Sequence, residues 1–369
     1  MTTSVAGAEP VADQPATEFA DKIFTAALGT METLSLYLGD RLGWLDALAS
    51  GPLTAAELAD RTQTAERYAV EWLEMQAVYG NLTVVDEGPG PHAREQRRFG
   101  LPPGAAEALT DQHSLNYQAP LPRMLAAVCL HLDDLLAAYR TGGGVSWAEL
   151  GADAREAQGA VNRPWFESEL GSALASVPDL HQVLSTSGAR IADMGCGEGW
   201  SSIALASAYP DAAVVGIDVD EPSVATARSN AEAAGVAERV SFALADGGQL
   251  DEPDGFDAAF VFEALHDMPR PVEVLTAIRQ AVGSDGVVVV MDEAVADDFT
   301  APGDVVEQAM YGYSTLICLP DGLSSAPSAG TGTVMRRSTL TDYATRAGFD
   351  GVEVLPIDGF AFFRFYRLR

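Results

Sequence analysis

Apolar and polar residues follow two different rhythms along the chain, and the change between them falls near residue 189. Before it, apolar positions recur with the three-to-four-residue spacing that is typical of amphipathic helices. After it, short apolar runs such as VVGID and VVVVMDE alternate with helical segments. This alternation predicts a parallel, doubly wound α/β sheet. Two further runs, VEVLPI and AFFRFYRL, predict an antiparallel edge on that sheet.

The front of the chain predicts three helices followed by a β-hairpin. LTAAELADRT offers Thr54 as N-cap with Glu57 three residues later, which is a capping box. The next helix is predicted to begin in the same way, with Thr64 as its N-cap. LTVVDE and the segment 97–101 predict two strands joined by the turn at 88–91. This succession is typical of a winged-helix domain.

The pattern as a whole predicts a disordered N-terminus over 1–17, a winged-helix and dimerisation domain over 18–112, a helical linker and lid over 113–187, and an α/β domain over 188–369. The N-terminus lacks the basic and apolar regions of a signal peptide. No apolar run reaches the ~20 residues that span a bilayer. The three cysteines form no CxxC pair, and their odd number predicts a reduced, cytoplasmic protein.

The net charge of -31 disfavours nucleic acid and anionic membranes as partners, because such a surface repels phosphate. The helix that would enter a DNA groove is itself acidic, which is the opposite of what a DNA reader needs. Dimerisation or scaffolding is therefore the favoured role of the front domain, and its arginine cluster is interpreted as a solvated wing. The helix carries Glu66, Glu71 and Glu74 against Arg67, and the wing carries Arg94, Arg97 and Arg98.

The stretch IADMGCGEGW follows the first strand of the α/β region and places glycines at alternate positions from Gly195. Glycines here let the chain turn tightly and let a ligand approach the backbone. The dinucleotide fingerprint GxGxxG fails, since Trp200 stands at its third glycine. Glu198 also puts a negative charge where a pyrophosphate would lie. A ligand with a cationic end fits better, because Asp193 and Glu198 could attract an ammonium directly or through water.

Acidic residues end the next two strands. Asp218 follows the loop at the ~20-residue spacing from which an acid reaches ribose hydroxyls. Asp246 can accept a hydrogen bond from an exocyclic amine, and Gly247 leaves room for a flat ring. Together with the glycine loop, these residues predict a nucleoside ligand that carries a positive charge.

This set of motifs resembles the class I S-adenosylmethionine-dependent methyltransferases over about residues 189–293, through DMGCGEG, GIDVD, LADGG and FDAAFVFEALHD. The resemblance implies a Rossmann-like doubly wound sheet behind a mostly helical winged-helix domain. It implies S-adenosylmethionine as cofactor and S-adenosylhomocysteine as product, with Glu263 contacting the methionine amine through its backbone. The implied cofactor-binding residues are Asp193, Gly195, Cys196, Gly197, Asp218, Val219, Asp246, Gly247 and Glu263.

The whole chain is similar to a bacterial subgroup of winged-helix, small-molecule methyltransferases. The segments that carry this similarity include LTAAELADRT, TGGGVSW, NRPWF, EALHDMPRPVEVL and MYGYSTLICLP. In related plant O-methyltransferases and polyketide-tailoring enzymes, the front domain dimerises and closes over the partner's pocket. The resemblance therefore implies a homodimer formed through the N-terminal domain.

His266 follows the fourth strand, where O-methyltransferases place a catalytic histidine in a His-Asp-Trp signature; here Met268 replaces the tryptophan. With an unperturbed pKa near ~6.5, His266 is the candidate general base for a hydroxyl acceptor. The alternative is a structural histidine on a strand-end loop. Glu293 is the favoured residue to orient the base, and Asp267 and Asp292 could do the same. No cluster has metal-ligand spacing, so no metal ion is predicted.

Aromatic residues outside the sheet predict an apolar pocket for a small organic acceptor such as a phenol or a polyketide. The alternative is that most of them belong to the core. The candidate substrate-binding residues are Trp165, Phe166, Met310, Tyr311 and Tyr313.

Three hypotheses about function remain open. The first is methyl transfer from S-adenosylmethionine to a small-molecule hydroxyl. The second is use of the same cofactor's positive charge in another reaction, such as a cyclisation. The third is a cofactor-sensing regulator whose winged helix binds DNA, which the acidic recognition helix disfavours.

Overall fold

The structure is a computed structural model, and it describes residues 14–88, 93–250 and 255–369. These residues form two compact units that divide between Thr110 and Asp111. Residues 111–187, most of which were predicted as a linker and lid, belong to the same unit as the sheet. Helix formation starts at Gln14, so residues 14–17 are helical and not disordered as predicted. Residues 1–13 lie outside the described ranges.

The first unit consists of helices followed by a two-stranded hairpin, in the order that the sequence predicted. The two strands pair antiparallel, with Val84 opposite Phe99. A core of buried side chains that includes Trp44, Leu58 and Leu73 joins the helices to the hairpin. The elements are α1 (Gln14–Arg41), α2 (Trp44–Ala49), α3 (Ala55–Thr62), α4 (Glu66–Tyr79), β1 (Thr83–Asp86), β2 (Arg98–Gly100) and α5 (Ala105–Thr110).

The two predicted N-caps have different outcomes. The Thr54 hydroxyl accepts from the Glu57 N–H at 3.2 Å, and the Glu57 carboxylate accepts from the Thr54 N–H at 2.9 Å, so the capping box is confirmed. The prediction for Thr64 is wrong, because Ala65 is the N-cap of α4 and no side chain caps it. The Thr64 hydroxyl instead accepts from the indole N–H of buried Trp44 at 3.1 Å. A buried indole needs such a partner.

Helices α6 to α10 precede the sheet in the second unit. α8 begins with a capping box between Ser146 and Glu149. The glycine-rich loop before it packs closely on another segment, because a Cβ on Gly144 would lie 1.9 Å from the carbonyl oxygen of Pro320. The Asp321 carboxylate also accepts the Trp147 N–H at 2.7 Å. The helices are α6 (Pro120–Cys129), α7 (Leu132–Thr141), α8 (Trp147–Trp165), α9 (Gly171–Ala175) and α10 (Pro178–Leu184).

A seven-stranded sheet forms the centre of the second unit, with the strand order β5-β4-β3-β6-β7-β9-β8. Five strands are parallel, and β9 runs antiparallel to both β7 and β8. The predicted doubly wound sheet with an antiparallel edge is therefore confirmed. The strands are β3 (Arg190–Met194), β4 (Ala213–Asp218), β5 (Val240–Leu244), β6 (Ala258–Phe262), β7 (Val287–Glu293), β8 (Val352–Val354) and β9 (Phe363–Leu368).

Successive strand residues alternate between two buried apolar clusters, one on each face of the sheet. Phe260 belongs to one cluster and Val261 to the other. Burying each such side chain contributes about 1.5–3 kcal/mol, so this alternation fixes the register of the strands. The helices in the rest of this unit are α11 (Trp200–Ala208), α12 (Glu221–Ala233), α13 (Pro271–Val282), α14 (Val305–Tyr313), α15 (Leu319–Ser324) and α16 (Arg337–Arg346).

Within the described ranges, no helix combines the length and the apolar character that crossing a bilayer requires.

Candidate active site at the carboxyl ends of the strands

The glycine loop joins β3 to α11 and adopts left-handed backbone conformations that favour glycine. Gly195 has φ 74° and Gly197 has φ 50°. A Cβ on Gly195 would lie 2.6 Å from the Cβ of Ala264, so a larger residue does not fit there. The Gly195 N–H donates to the carbonyl of Ile217 at 2.8 Å, which ties the loop to β4.

A cavity of about 90 Å³ lies between this loop and α8. Its wall includes Gly195, Cys196, Gly197, Glu263 and Phe166, all of which the sequence analysis singled out. The loop adds Glu198, and α8 adds polar side chains that the sequence analysis did not name. The remaining lining residues are Trp147, Arg155, Gln158, Gly159, Asn162, Trp200, Ser201, Ser223 and Phe262.

Asp193 lies behind the loop and not on the cavity wall. Its carboxylate accepts from the hydroxyls of Ser201 at 2.6 Å and Ser202 at 2.5 Å, which fastens the first turn of α11. Burial raises the pKa of Asp193 to about 6, against the lowering effect of the two serines. The predicted direct contact of Asp193 with an ammonium therefore does not fit this position, although one carboxylate oxygen is buried without a hydrogen-bond partner.

Glu198 does lie on the cavity wall. Gly159 of α8 makes room for it, because a Cβ on Gly159 would lie 2.2 Å from the Glu198 Oε2. Burial raises the pKa of Glu198 to about 7, and the neighbouring Glu156 adds to this effect.

Asp218 holds the loop from the end of β4. Its carboxylate accepts from the Gly197 N–H at 2.8 Å and from the Asp220 N–H at 2.9 Å. Burial raises its pKa. Val219, the next residue, is exposed. Asp218 thus stands beside the glycine loop, where an acid was predicted to meet a ribose.

Arg155 and Asp220 form a two-bond ion pair at the same edge, which the sequence analysis missed. The Arg155 Nε lies 2.6 Å from one Asp220 oxygen, and its terminal nitrogen lies 2.8 Å from the other. Asp220 also caps α12 by accepting from the Ser223 N–H at 3.0 Å.

Asp246 follows β5, and its carboxylate already has partners. It accepts from the Gly248 N–H at 2.9 Å and from Arg270 at 2.5 Å. A Cβ on Gly247 would lie 2.7 Å from the terminal methyl of Met194, so that side chain would have to shift to admit a larger residue. Both Asp246 and Gly247 lie outside the lining of the cavity beside the glycine loop.

His266 is buried in a cluster of carboxylates, with 2% of its surface exposed. Its Nδ1 lies 3.0 Å from an Asp292 oxygen and 3.3 Å from a Glu293 oxygen, and its Nε2 lies 3.3 Å from Asp267. The three predicted residues therefore do surround His266. Asp292, which the sequence analysis kept as an alternative, is nearer than the favoured Glu293.

The charge state of His266 differs from the prediction. Burial lowers its pKa, but the carboxylates of Asp267, Glu293 and Asp292 outweigh burial and raise the pKa well above 6.5. Burial raises the pKa of Glu293 well above its usual range. Burial also opposes ionisation of Asp292, yet the adjacent His266 and the hydrogen bonds around it lower its pKa. Both directions favour an imidazolium paired with a carboxylate.

Cys318 joins this cluster from a segment that is distant in sequence. The ligand atoms of His266, Asp267 and Cys318 lie within 4.8 Å of one another, and so do those of His266, Asp292 and Glu293. Nitrogen, oxygen and sulfur donors in such sets can hold a divalent cation, although no metal ion was predicted. Cys318 has no sequence neighbour with ligand spacing that could have indicated this.

The predicted substrate-binding residues separate into two groups. Phe166 lines the cavity with its ring 5.6 Å from that of Phe262. The other four residues do not line the cavity. Burial raises the pKa of Tyr313 to about 12, with Glu263 and Cys318 as neighbours. Trp165 packs on Phe360 at 5.7 Å, Met310 is buried, and Tyr311 is 40% exposed and bonds Arg336.

A glycine loop after the first strand of a doubly wound sheet, acids after the next two strands, and an antiparallel last strand define the class I methyltransferase fold. Known proteins are consistent with this class. Residues 185–321 match a family described as a methyltransferase domain. The whole chain superposes on the mitomycin 7-O-methyltransferase MmcR with a TM-score of 0.73 and 21% identity, covering 98% of this chain and 99% of that one.

Two relatives show sequence similarity. The 27-O-demethylrifamycin SV methyltransferase of Amycolatopsis mediterranei (strain S699) is 42% identical over 95 residues, which is 26% of this chain and 34% of that protein. The chain thus spans about a third of its length. The O-methyltransferase SfmM3 of Streptomyces lavendulae is 27% identical over 264 residues, or 70% and 75%. Residues 185–321 thus match a methyltransferase domain, and the chain shares the Rossmann-like methyltransferase fold with the MmcR structure.

Proposed function

We propose that the protein transfers the methyl group of S-adenosylmethionine to a hydroxyl of a small organic acceptor. The observation that carries this proposal is the buried His266–Asp292 pair beside a cavity that the glycine loop lines. An aliphatic sulfonium needs no further activation, whereas a hydroxyl nucleophile benefits from a base that is held in place. The names of both sequence relatives, which describe O-methyltransferases, favour oxygen over nitrogen or carbon as the nucleophile.

The residues of the cavity fit this cofactor. The left-handed glycines leave room for close approach of a ligand to the backbone, and Glu198 and Glu263 on the wall complement a positive charge. Arg155 on the wall is already paired with Asp220, so its charge is balanced. Glu198 and Glu263 therefore set the charge of the cavity. When bound, the cofactor supplies a methyl group that is activated by a sulfonium.

The protein's own part is to hold the acceptor and remove a proton. Asp292 fixes the imidazole through Nδ1, which leaves Nε2 towards Asp267 and Cys318 as the atom that would accept the acceptor's proton. Phe166 and Tyr313 are the apolar walls that we assign to the acceptor. Burial makes Glu293 harder to ionise than Asp292, so Asp292 is the carboxylate that we assign to hold the imidazole.

Product mass tests this proposal. The purified protein is incubated with S-adenosylmethionine and a set of hydroxylated aromatic and polyketide compounds, and the products are weighed by mass spectrometry. Methyl transfer adds one methylene unit to the acceptor and yields S-adenosylhomocysteine. An acceptor that changes without a gain in mass, while the cofactor stays intact, would instead support the cyclisation hypothesis.

We predict that the acidic limb of the pH–rate profile lies above the unperturbed histidine pKa. Only neutral imidazole accepts a proton, and the surrounding carboxylates raise the pKa of His266 well above 6.5. The kcat/KM for the acceptor should therefore rise with pH beyond 6.5, at most tenfold for each pH unit. A profile measured from pH 5 to pH 10 that is already flat at pH 6.5 would contradict the assignment of His266 as the base.

We also propose that the chain forms a homodimer through α1. Apolar side chains along this helix are exposed, including Phe24 at 66% and Met31 at 57%. Exposed apolar stripes of this length mark interaction sites in soluble proteins. The full stripe is Phe19, Ile23, Phe24, Leu28, Met31 and Leu38.

We predict that the double substitution Phe24→Asp and Met31→Asp converts the dimer into a monomer, because a charge buried in an apolar interface lacks a partner. Light scattering after gel filtration measures the mass. Thr25→Asp is the matched control, since Thr25 is exposed on α1 outside the apolar stripe. A wild-type protein that runs as a monomer, or a double variant that stays dimeric, would contradict the proposal.

Four arginines of the front domain favour this role over DNA binding, because each of them pairs with a glutamate of the same unit that competes with a phosphate for it. We infer a cytoplasmic protein with no nucleic-acid partner, whose cysteines Cys129, Cys196 and Cys318 are free thiols. The pairs are Arg67–Glu71, Arg94–Glu74, Arg97–Glu87 and Arg98–Glu57.

A further inference from the structure

Glu263 occupies a strained position between the cofactor cavity and the His266 cluster. It follows β6 with φ 49°, a left-handed conformation that costs a non-glycine residue about 1–3 kcal/mol. Its N–H donates to the carbonyl of Met291 at 2.8 Å, which holds the backbone in this conformation. The side chain of Glu263 lines the cavity. Such strain persists where the surrounding structure enforces it, which is common at functional sites.

The recorded hydrogen-bonding partner of this carboxylate is neutral. The Asn162 amide of α8 donates to the Glu263 Oε2, and Gln158 lies one helical turn before Asn162. The structure records no ion pair between Glu263 and an arginine or lysine among the described residues. A carboxylate that is buried without a cation is costly to ionise, and burial raises the pKa of Glu263 to about 7 against the effect of Asn162.

Charged neighbours act on Glu263 from several elements. The imidazolium of His266 favours its ionised form and Asp292 disfavours it. The titratable or charged groups on the surrounding elements are Glu198, Arg155, His266, Asp292, Glu293 and Tyr313.

The two forms of the cofactor differ by one positive charge. S-adenosylmethionine carries a sulfonium, and S-adenosylhomocysteine carries a neutral thioether with the same amino acid end. We propose that Glu263 is the specificity-determining residue that distinguishes the two, by losing its proton to solvent when the sulfonium enters and regaining one when the thioether is left. Asn162 acts as its positioning residue. This inference deepens the proposed function and rests on the cofactor cavity, not on the identity of the acceptor.

Calorimetry in two buffers tests the inference. Cofactor binding at pH 7 is titrated in phosphate and in Tris, whose protonation enthalpies differ, so the difference in heat counts the protons exchanged. A group that is half protonated at pH 7 should release about half a proton when S-adenosylmethionine binds and almost none with S-adenosylhomocysteine. Glu263→Gln should abolish this release and reduce the preference for S-adenosylmethionine over the product about tenfold.

Three further variants identify the group that releases the proton. Glu232→Gln, an exposed substitution on α12, is the control and should keep the release. Glu198→Gln measures whether the second cavity carboxylate, whose pKa burial also raises to about 7, supplies the proton instead. Asn162→Ala removes the donor that stabilises the ionised form, so it should raise the release at pH 7 above half a proton. Release that persists in Glu263→Gln but is lost in Glu198→Gln or His266→Ala would overturn the inference.

Calorimetry distinguishes failure of the proposed cofactor cavity from failure of the proposed role of Glu263. No binding heat with either cofactor in the folded wild-type protein would contradict the cofactor cavity itself. Binding of both cofactors with equal proton counts would leave the cavity intact and overturn the role of Glu263. Thermal melting of each variant shows whether it is folded, and Asn162→Ala keeps the inference testable if Glu263→Gln does not fold.

Discussion

His266→Ala is expected to lower turnover by about two to four decades and to leave the affinity for S-adenosylmethionine within a few-fold of wild type. Loss of a general base commonly costs this much. His266 lies outside the lining of the cofactor cavity, so its removal takes away no cofactor contact. The effect is measured as kcat for the acceptor identified by product mass, with cofactor affinity measured by calorimetry on the same preparation.

The matched control is His181→Ala. His181 lies on α10 with its ring 5.8 Å from that of Tyr209, away from the carboxylate cluster, and its removal should leave turnover unchanged. Removing His266 also leaves Asp292 buried without its ionic partner, which destabilises the fold. The active fraction is therefore counted from the binding stoichiometry. Turnover near the wild-type value with intact binding would make His266 a structural residue.

Asp218→Ala should abolish cofactor binding that calorimetry can detect. The substitution removes the acid that was predicted to accept the ribose hydroxyls. It also frees the N–H groups of Gly197 and Asp220, which Asp218 accepts at 2.8 Å and 2.9 Å, so the glycine loop loses its attachment to β4. Each lost bond to a charged acceptor costs about 1.5–3 kcal/mol, so the two together correspond to about two to four decades of affinity, before the lost ribose contact is added.

Asp218→Asn separates the two effects, because its amide oxygen can keep one backbone contact while the charge is lost. We expect weak but measurable binding from this variant. Glu232→Ala, an exposed substitution on α12, is the control and should bind as wild type does. Unchanged cofactor affinity in Asp218→Ala would mean that Asp218 does not bind the ribose of the cofactor.

Much of the fold could be predicted because its signals are local. Apolar runs bounded by glycine and acidic residues mark the strands, and the carboxyl ends of β3, β4 and β6 carry the loop, Asp218 and His266. Since parallel strands end at one edge of the sheet, residues predicted separately meet there. The resemblance to O-methyltransferases suggested Glu293 as the residue that orients His266, with Asp267 and Asp292 as alternatives.

Side-chain direction on helices could not be predicted at the resolution of one residue. Asn162 and Phe166 are one helical turn apart and both line the cavity, whereas Trp165 is turned by about 100° from Phe166 and packs on Phe360. The same geometry separates Tyr313 from Tyr311. The motif NRPWF was therefore located correctly, but its first residue meets Glu263 and its tryptophan does not line the cavity.

Contacts between distant segments were also missed, because no local pattern indicates them. Arg155 reaches Asp220 from α8, and Cys318 reaches His266 from the segment between α14 and α15. The pKa of His266 depends on three carboxylates that only the folded chain brings together. Its charge state therefore could not follow from its unperturbed value.

A crystal structure of the protein grown with S-adenosylhomocysteine tests the central claim most directly. We expect the ligand in the cavity beside Gly195 and Gly197, with its ribose on Asp218 and its adenine towards Asp246. A cavity that stays empty at saturating ligand, or that takes up a pyrophosphate-containing nucleotide instead, would contradict it.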